Sequence, residues 1–134
     1  MSFNKKGKGI GAERELLHLF WKHNWVCIRV AGSGSQQYPA PDVLASRGDR
    51  KIVMEVKVVK EYKKYFKQEE IKDLDFFAEH FGAESWVGVK FPEGQWYFQP
   101  TIMLDKTNGG NFVVDLISAK KGSAFSFEEM IEQN

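Results

Sequence analysis

The segment Lys51 to Val59, KIVMEVKVV, constrains the fold more than any other stretch of this chain. β-branched residues at this density suit a strand, and a strand turns alternate side chains to opposite faces. Met54, Val56 and Val58 therefore share one face, while Glu55 and Lys57 share the other with Val53 and Val59. Charges inside an otherwise apolar row are costly unless something uses them. Asp42 to Ser46 reads as a preceding strand, joined through Arg47, Gly48, Asp49 and Arg50, a polar connection suited to a hairpin. Antiparallel pairing brings the Asp42 carboxylate towards Glu55.

Other periodicities surround this hairpin. From about Ala12 to His23, Leu16, Leu17, Phe20 and Trp21 recur at helical spacing. Gly7, Gly9 and Gly11 among lysines predict a flexible basic arm over residues 1–9, whose Lys5, Lys6 and Lys8 can track phosphates. Trp25 to Ala31 alternates as a strand, with Val26, Ile28 and Val30 on one side and Cys27, Arg29 and Ala31 on the other. A second helix carries Ile71, Leu74, Ala78 and Phe81 on one stripe, widened by Phe76 and Phe77 and ended by Gly82. Ser85 to Phe91, Trp96 to Ile102 and Asn111 to Ile117 read as further strands, and Ser126 with Glu129 forms a capping-box pattern for a final short helix. The order is α/β, and 134 residues suit one domain spanning 1–134.

Several classes drop out. No stretch approaches the roughly 20 apolar residues of a membrane span, and no h-region follows the N-terminal lysines, so the expectation is a cytoplasmic protein at the nucleoid with no membrane partner. Cys27 is the sole cysteine, which excludes an intramolecular disulfide and predicts a buried core residue. His18, His23 and His80 lack ligand-like company, so zinc and a Ser/His/Asp triad are discounted, and no small-molecule substrate is indicated. Net charge is only +1, yet residues 1–67 hold fourteen Lys/Arg against six Asp/Glu, while residues 68–134 hold five against twelve. A polyanion docking on the N-terminal half explains the split, and ordinary solvated charge is the plain alternative.

Paired carboxylates beside a lysine suggest a chemistry. Asp42 and Glu55 repel unless a hard cation bound by oxygen separates them, and Mg²⁺, with Mn²⁺ as substitute, is the usual occupant. Such an ion binds a scissile phosphate and acidifies a water that Lys57 can orient or deprotonate. The bland alternative is a solvated hairpin face, against which the apolar neighbours Val53 and Val59 weigh. Glu13 lies three and four residues before Leu16 and Leu17, on the inward helix face, as a ligand or as a first-turn acid. Arg14 and Arg29 are candidate phosphate contacts or surface charge, and Lys60, Lys63 and Lys64 either grip DNA or belong to a solvated loop.

The runs Gly11-Ala12-Glu13-Arg14-Glu15-Leu16, Arg29-Val30-Ala31-Gly32-Ser33, Pro41-Asp42-Val43-Leu44-Ala45 and Glu55-Val56-Lys57 together resemble the archaeal Holliday junction resolvase family of the PD-(D/E)xK nucleases. The resemblance implies a restriction-endonuclease-like fold, a central mixed β-sheet flanked by helices. It implies that Glu13, Asp42, Glu55 and the Val56 carbonyl serve a metal, that Lys57 acts at the water, and that Arg14, Arg29 and Ser33 position the scissile backbone. It implies a twofold homodimer that nicks four-way junction DNA on two opposed strands. Phe76, Phe77 and Phe81 are interface candidates, with burial in the monomer core as the alternative. The stretch from Ser35 to Ala40 is longer than the family's usual spacing. Two other readings remain: a nuclease of the same fold acting on linear duplex, and a catalytically silent DNA-binding module.

Overall fold

Proline has no amide N–H to give a sheet, so after Pro41 regular pairing can begin only at Asp42. Asp42 N–H donates to the Met54 carbonyl, and β2 (Val43–Arg47) then runs antiparallel to β3 (Arg50–Val58), with Val43 opposite Met54. The hairpin closes through Gly48 at φ 58°, a conformation glycine adopts without strain. In the computed structural model, which describes residues 5–33 and 37–133 and the first four of these by backbone alone, five strands form one sheet. Its order is β1 (Val26–Arg29), β2, β3, β5 (Glu84–Lys90), β6 (Trp96–Pro100). β3 and β5 are parallel and the other neighbours antiparallel, which makes the sheet mixed, as expected. A parallel pair needs a crossover, here β4 (Lys63–Phe66) and α2 (Gln68–Phe81).

Both faces are covered. Leu16 and Phe20 of α1 (Lys5–Lys22) pack with Cys27, Ala45, Met54 and Val56. Ile71, Leu74 and Ala78 of α2 pack on the opposite face with Val53, Val87 and Val89. That second layer includes a small sheet, ordered β4, β8 (Phe112–Asp115), β7 (Asp105–Lys106). Helix α3 (Leu116–Ser118) and the terminal α4 (Phe127–Ile131) follow; Ser126 Oγ accepts the Glu129 N–H and caps α4, as its sequence predicts. The alternation read from β3 holds: Ile52, Met54 and Val56 face α1, whereas Val53 and Val59 join the α2 layer, so Glu55 and Lys57 point towards α2.

Two expectations change. Helix α1 starts at Lys5 instead of about Ala12, so residues 5–9 of the expected arm are helical; residues 1–4 and the side chains of Lys5, Lys6 and Lys8 lie outside the described residues. β1 buries Cys27, as expected, and leaves Val26 and Ile28 of its other side exposed. The stretch around Lys63 and Lys64, for which a solvated loop was one of two readings, is β4, paired with a strand from Phe112 to Asp115.

Gly88 sits in the middle of β5, opposite Val56 and Phe98. A Cβ there would lie 2.9 Å from both Met54 Sδ and Phe98 Cε1, too close for either neighbour. Gly88→Ala is expected to cost about 2 kcal/mol of stability, as overpacked cores do, read as an earlier denaturant midpoint. An unchanged midpoint would mean that Met54 and Phe98 repack freely.

Candidate active site

β2 and β3 part company at Asp42. The backbone pairing ends there, and the next outward N–H of β3, that of Val56, is taken by the Asp42 side chain, Oδ2 accepting at 2.8 Å. The other carboxylate oxygen accepts from Ser33 Oγ, and the Asp42 carbonyl accepts the Val30 N–H at 2.8 Å. Asp42 is thus clamped between three segments and only 9% exposed. The hollow at this divergence is lined by Glu13, Arg29, Ser33, Asp42, Glu55, Val56 and Lys57. Seven candidate residues scattered over 45 positions of sequence meet in one place.

Electrostatics follow from that crowding. Burial, reinforced by the Asp42 charge and a hydrogen bond to Asp42, pushes the Glu55 carboxyl up to about 8, against the opposing pull of Lys57. Burial and Asp42 likewise raise Glu13, which Arg29 partly offsets from 3.7 Å. Burial alone would lower the Lys57 ammonium, but the charges of Glu55 and Glu70 outweigh it and hold Lys57 above its ordinary value. Lys57 Nζ lies 3.8 Å from Glu55 Oε2 and 3.3 Å from Glu70 Oε2. As it stands, Lys57 is a cationic donor, suited to orienting a water or a phosphate oxygen.

The donor set fits a hard divalent cation. Every side-chain ligand is a carboxylate oxygen, and two buried carboxyl groups are so close that one keeps its proton near neutrality unless a cation separates them. Among the described residues no three His, Cys, Asp or Glu come together closely enough to hold a metal ion by themselves. Mg²⁺ needs no such trio: it commonly uses one or two protein carboxylates and completes its shell with water and substrate phosphate.

Other expected residues fall around this centre. Arg14 is exposed on α1, beside Glu13 but outside the hollow. Lys60, Lys63 and Lys64 line an adjoining groove with Val56 and Lys57, and Lys63 also pairs with Asp115 at 3.6 Å. Phe76 and Phe81 are 57% and 49% exposed, whereas Phe77 packs against the α2 core layer, so the core alternative holds for Phe77 alone. Glu70 was missed. It lies in the first turn of α2, where an acid is ordinary, and only the β3–α2 packing brings it to Lys57.

A family model described as archaeal Holliday junction resolvase (Hjc) matches residues 4–134. The chain is 43% identical over 110 residues to a crossover junction endodeoxyribonuclease Hjc of Archaeoglobus fulgidus, covering 82% of this chain and 80% of the relative. It is 32% identical over 121 residues to the Sulfurisphaera tokodaii enzyme of the same name, covering 89% and 83%. The structure of Archaeoglobus fulgidus Hjc, described as a Holliday junction resolvase from an archaeal hyperthermophile, superposes with TM-score 0.81 at 35% identity, covering 95% of this chain and 98% of that one.

Proposed function

The chain belongs to the archaeal Holliday junction resolvase family, and from that premise we propose how its own residues cut a four-way junction. It is a junction-resolving endodeoxyribonuclease of restriction-endonuclease-like fold. The observation that carries the assignment of roles is the clamped Asp42 beside a Glu55 that holds its proton to about 8, with Lys57 on the same strand.

Asp42 and Glu55 would hold Mg²⁺, the Val56 carbonyl would offer a further oxygen, and Glu13 would support the ion from α1 through water. When bound, Mg²⁺ lends positive charge to the scissile phosphate and acidity to the attacking water. Ser33 keeps the Asp42 carboxylate turned towards the hollow. Lys57 orients the water against the phosphorus, and Arg29, a quarter exposed, offers its guanidinium to a phosphate oxygen while pairing with Glu13. Lys60 and Lys64 border the groove along which the backbone leaves the site. These contacts read backbone and shape, in keeping with a junction-specific enzyme.

A junction offers two equivalent strands, and a twofold dimer presents two such sites. Phe76 and Phe81 are exposed on α2, and an apolar hollow joins Phe81 to Val26, Ile28, Leu44 and Ala45, so greasy surface continues onto the outer strands. Surface of this kind marks an interface. Phe76→Asp is expected to turn a sedimenting dimer into a monomer and to replace paired nicks by single ones; a variant that still sediments as a dimer moves the interface elsewhere.

The function itself is tested on an end-labelled immobile junction in Mg²⁺ with excess competitor duplex. Symmetric nicks in the junction and intact linear controls are expected. Equal cutting of linear duplex would replace junction resolution by general nuclease activity, and binding without cutting would leave a silent DNA-binding module.

A further inference from the structure

We propose that Glu70 is a positioning residue for the nuclease reaction: it anchors the Lys57 ammonium to the start of α2 so that Glu55 remains free to serve the metal. The inference rests on the role given to Lys57 above.

Glu70 divides its two oxygens between two tasks. Oε1 accepts the Lys67 backbone N–H at 3.1 Å, which closes the first turn of α2, and Oε2 lies 3.3 Å from Lys57 Nζ. The capping bond fixes the carboxylate on a helix that is packed, through Ile71 and Leu74, onto the core layer beneath β3. Lys57 has four methylenes in a flexible side chain and is the penultimate residue of β3. With Glu55 as its only ion-pair partner, 3.8 Å away, the ammonium would compete for the carboxylate that the cation needs. A second carboxylate outside the metal's ligand set removes that competition and draws Nζ towards α2. Both side chains are about one-third exposed, 30% for Lys57 and 33% for Glu70, so water and substrate still reach the ammonium. The pair also ties α2, which carries the exposed Phe76 and Phe81, to the catalytic strand.

Glu70→Gln separates the two tasks, because an amide oxygen still accepts the Lys67 N–H while the charge opposite Lys57 is gone. On full-length protein with saturating Mg²⁺ and enzyme in excess over junction, the single-turnover cleavage rate is expected to fall about tenfold or more, since placement of the proton-handling group is worth at least that. Junction affinity measured without Mg²⁺ and the melting temperature should match wild type, and Glu70→Asp should recover part of the rate. In a Lys57→Met background, adding Glu70→Gln should cost nothing further, as for residues that act as one unit. Wild-type cutting by Glu70→Gln, a loss matched by weaker junction binding, or losses that multiply in the double variant would each overturn the positioning role. A wild-type protein that leaves junctions uncut would instead sink the functional reading on which it rests.

Discussion

Asp42→Asn is expected to abolish junction cleavage and leave junction binding intact. The side chain keeps its size, so the clamp survives in outline: the amide oxygen still accepts the Val56 N–H, and Ser33 can rotate its hydroxyl to accept from the new NH₂. What disappears is one of the two carboxylate charges proposed to hold a divalent cation. Loss of one ligand carboxylate removes several kcal/mol of the charge stabilisation a metal supplies, and each 1.4 kcal/mol is tenfold, so the single-turnover rate should drop by about a thousandfold or more. A gel shift without Mg²⁺ should show affinity within about threefold of wild type, since phosphate contacts from Arg and Lys carry most of the binding. Removing a buried negative charge beside Glu55 should also leave the melting temperature equal or higher. Cleavage surviving within about tenfold would mean that Asp42 orients its neighbours without holding a metal.

The legible parts of this molecule are those set by short-range periodicity. The alternation of Lys51 to Val59, the polar connection at Gly48 and the glycine that ends α2, at φ 78°, are local properties, and each appears in place. Most of the site was legible for the same reason, because Glu55 and Lys57 are fixed by strand period and Asp42 by the hairpin that Pro41 terminates. What escaped depends on contacts between distant segments. β4 carries two lysines and gains its strand character from Phe112 to Asp115, far along the chain, where no nearby residue announces a partner. Glu70 carries an unremarkable first-turn position and acquires its role from packing alone. Part of the excess basic charge of residues 1–67 is paired with acids of residues 68–134: Arg50 with Glu84, Lys57 with Glu70 and Lys63 with Asp115. Basic surface is therefore smaller than the count of lysines implies, and Lys57, Lys60, Lys63 and Lys64 line one groove beside the hollow.

Glu55→Gln should make the metal-free protein more stable in mild alkali while destroying its activity, an opposition that a purely structural glutamate would not produce. In the unfolded chain the carboxyl ionises near 4.5, and in the folded protein burial and Asp42 hold the proton on until about 8. Between those values the unfolded state has released a proton that the folded state still binds, so the Glu55 contribution to stability is full below pH 4.5 and declines as pH rises to 8. Glutamine never ionises and escapes the decline. The variant should therefore match wild type in acid and exceed it at pH 8 by about 4 kcal/mol, read from denaturant midpoints in EDTA. Saturating Mg²⁺ should reverse the order, because a cation that binds the folded wild type and not the variant stabilises only the former, by mass action. The Glu13 carboxyl, raised for the same reasons, adds a decline of the same sign to both proteins and cancels in the difference. Parallel stability profiles for wild type and variant from pH 5 to 8 would show that Glu55 ionises freely, and an identical response to Mg²⁺ would remove it from the metal site. The repulsion that holds the proton on Glu55 is the same repulsion that a bound cation would relieve, so the alkaline decline and the Mg²⁺ response should disappear together in the variant.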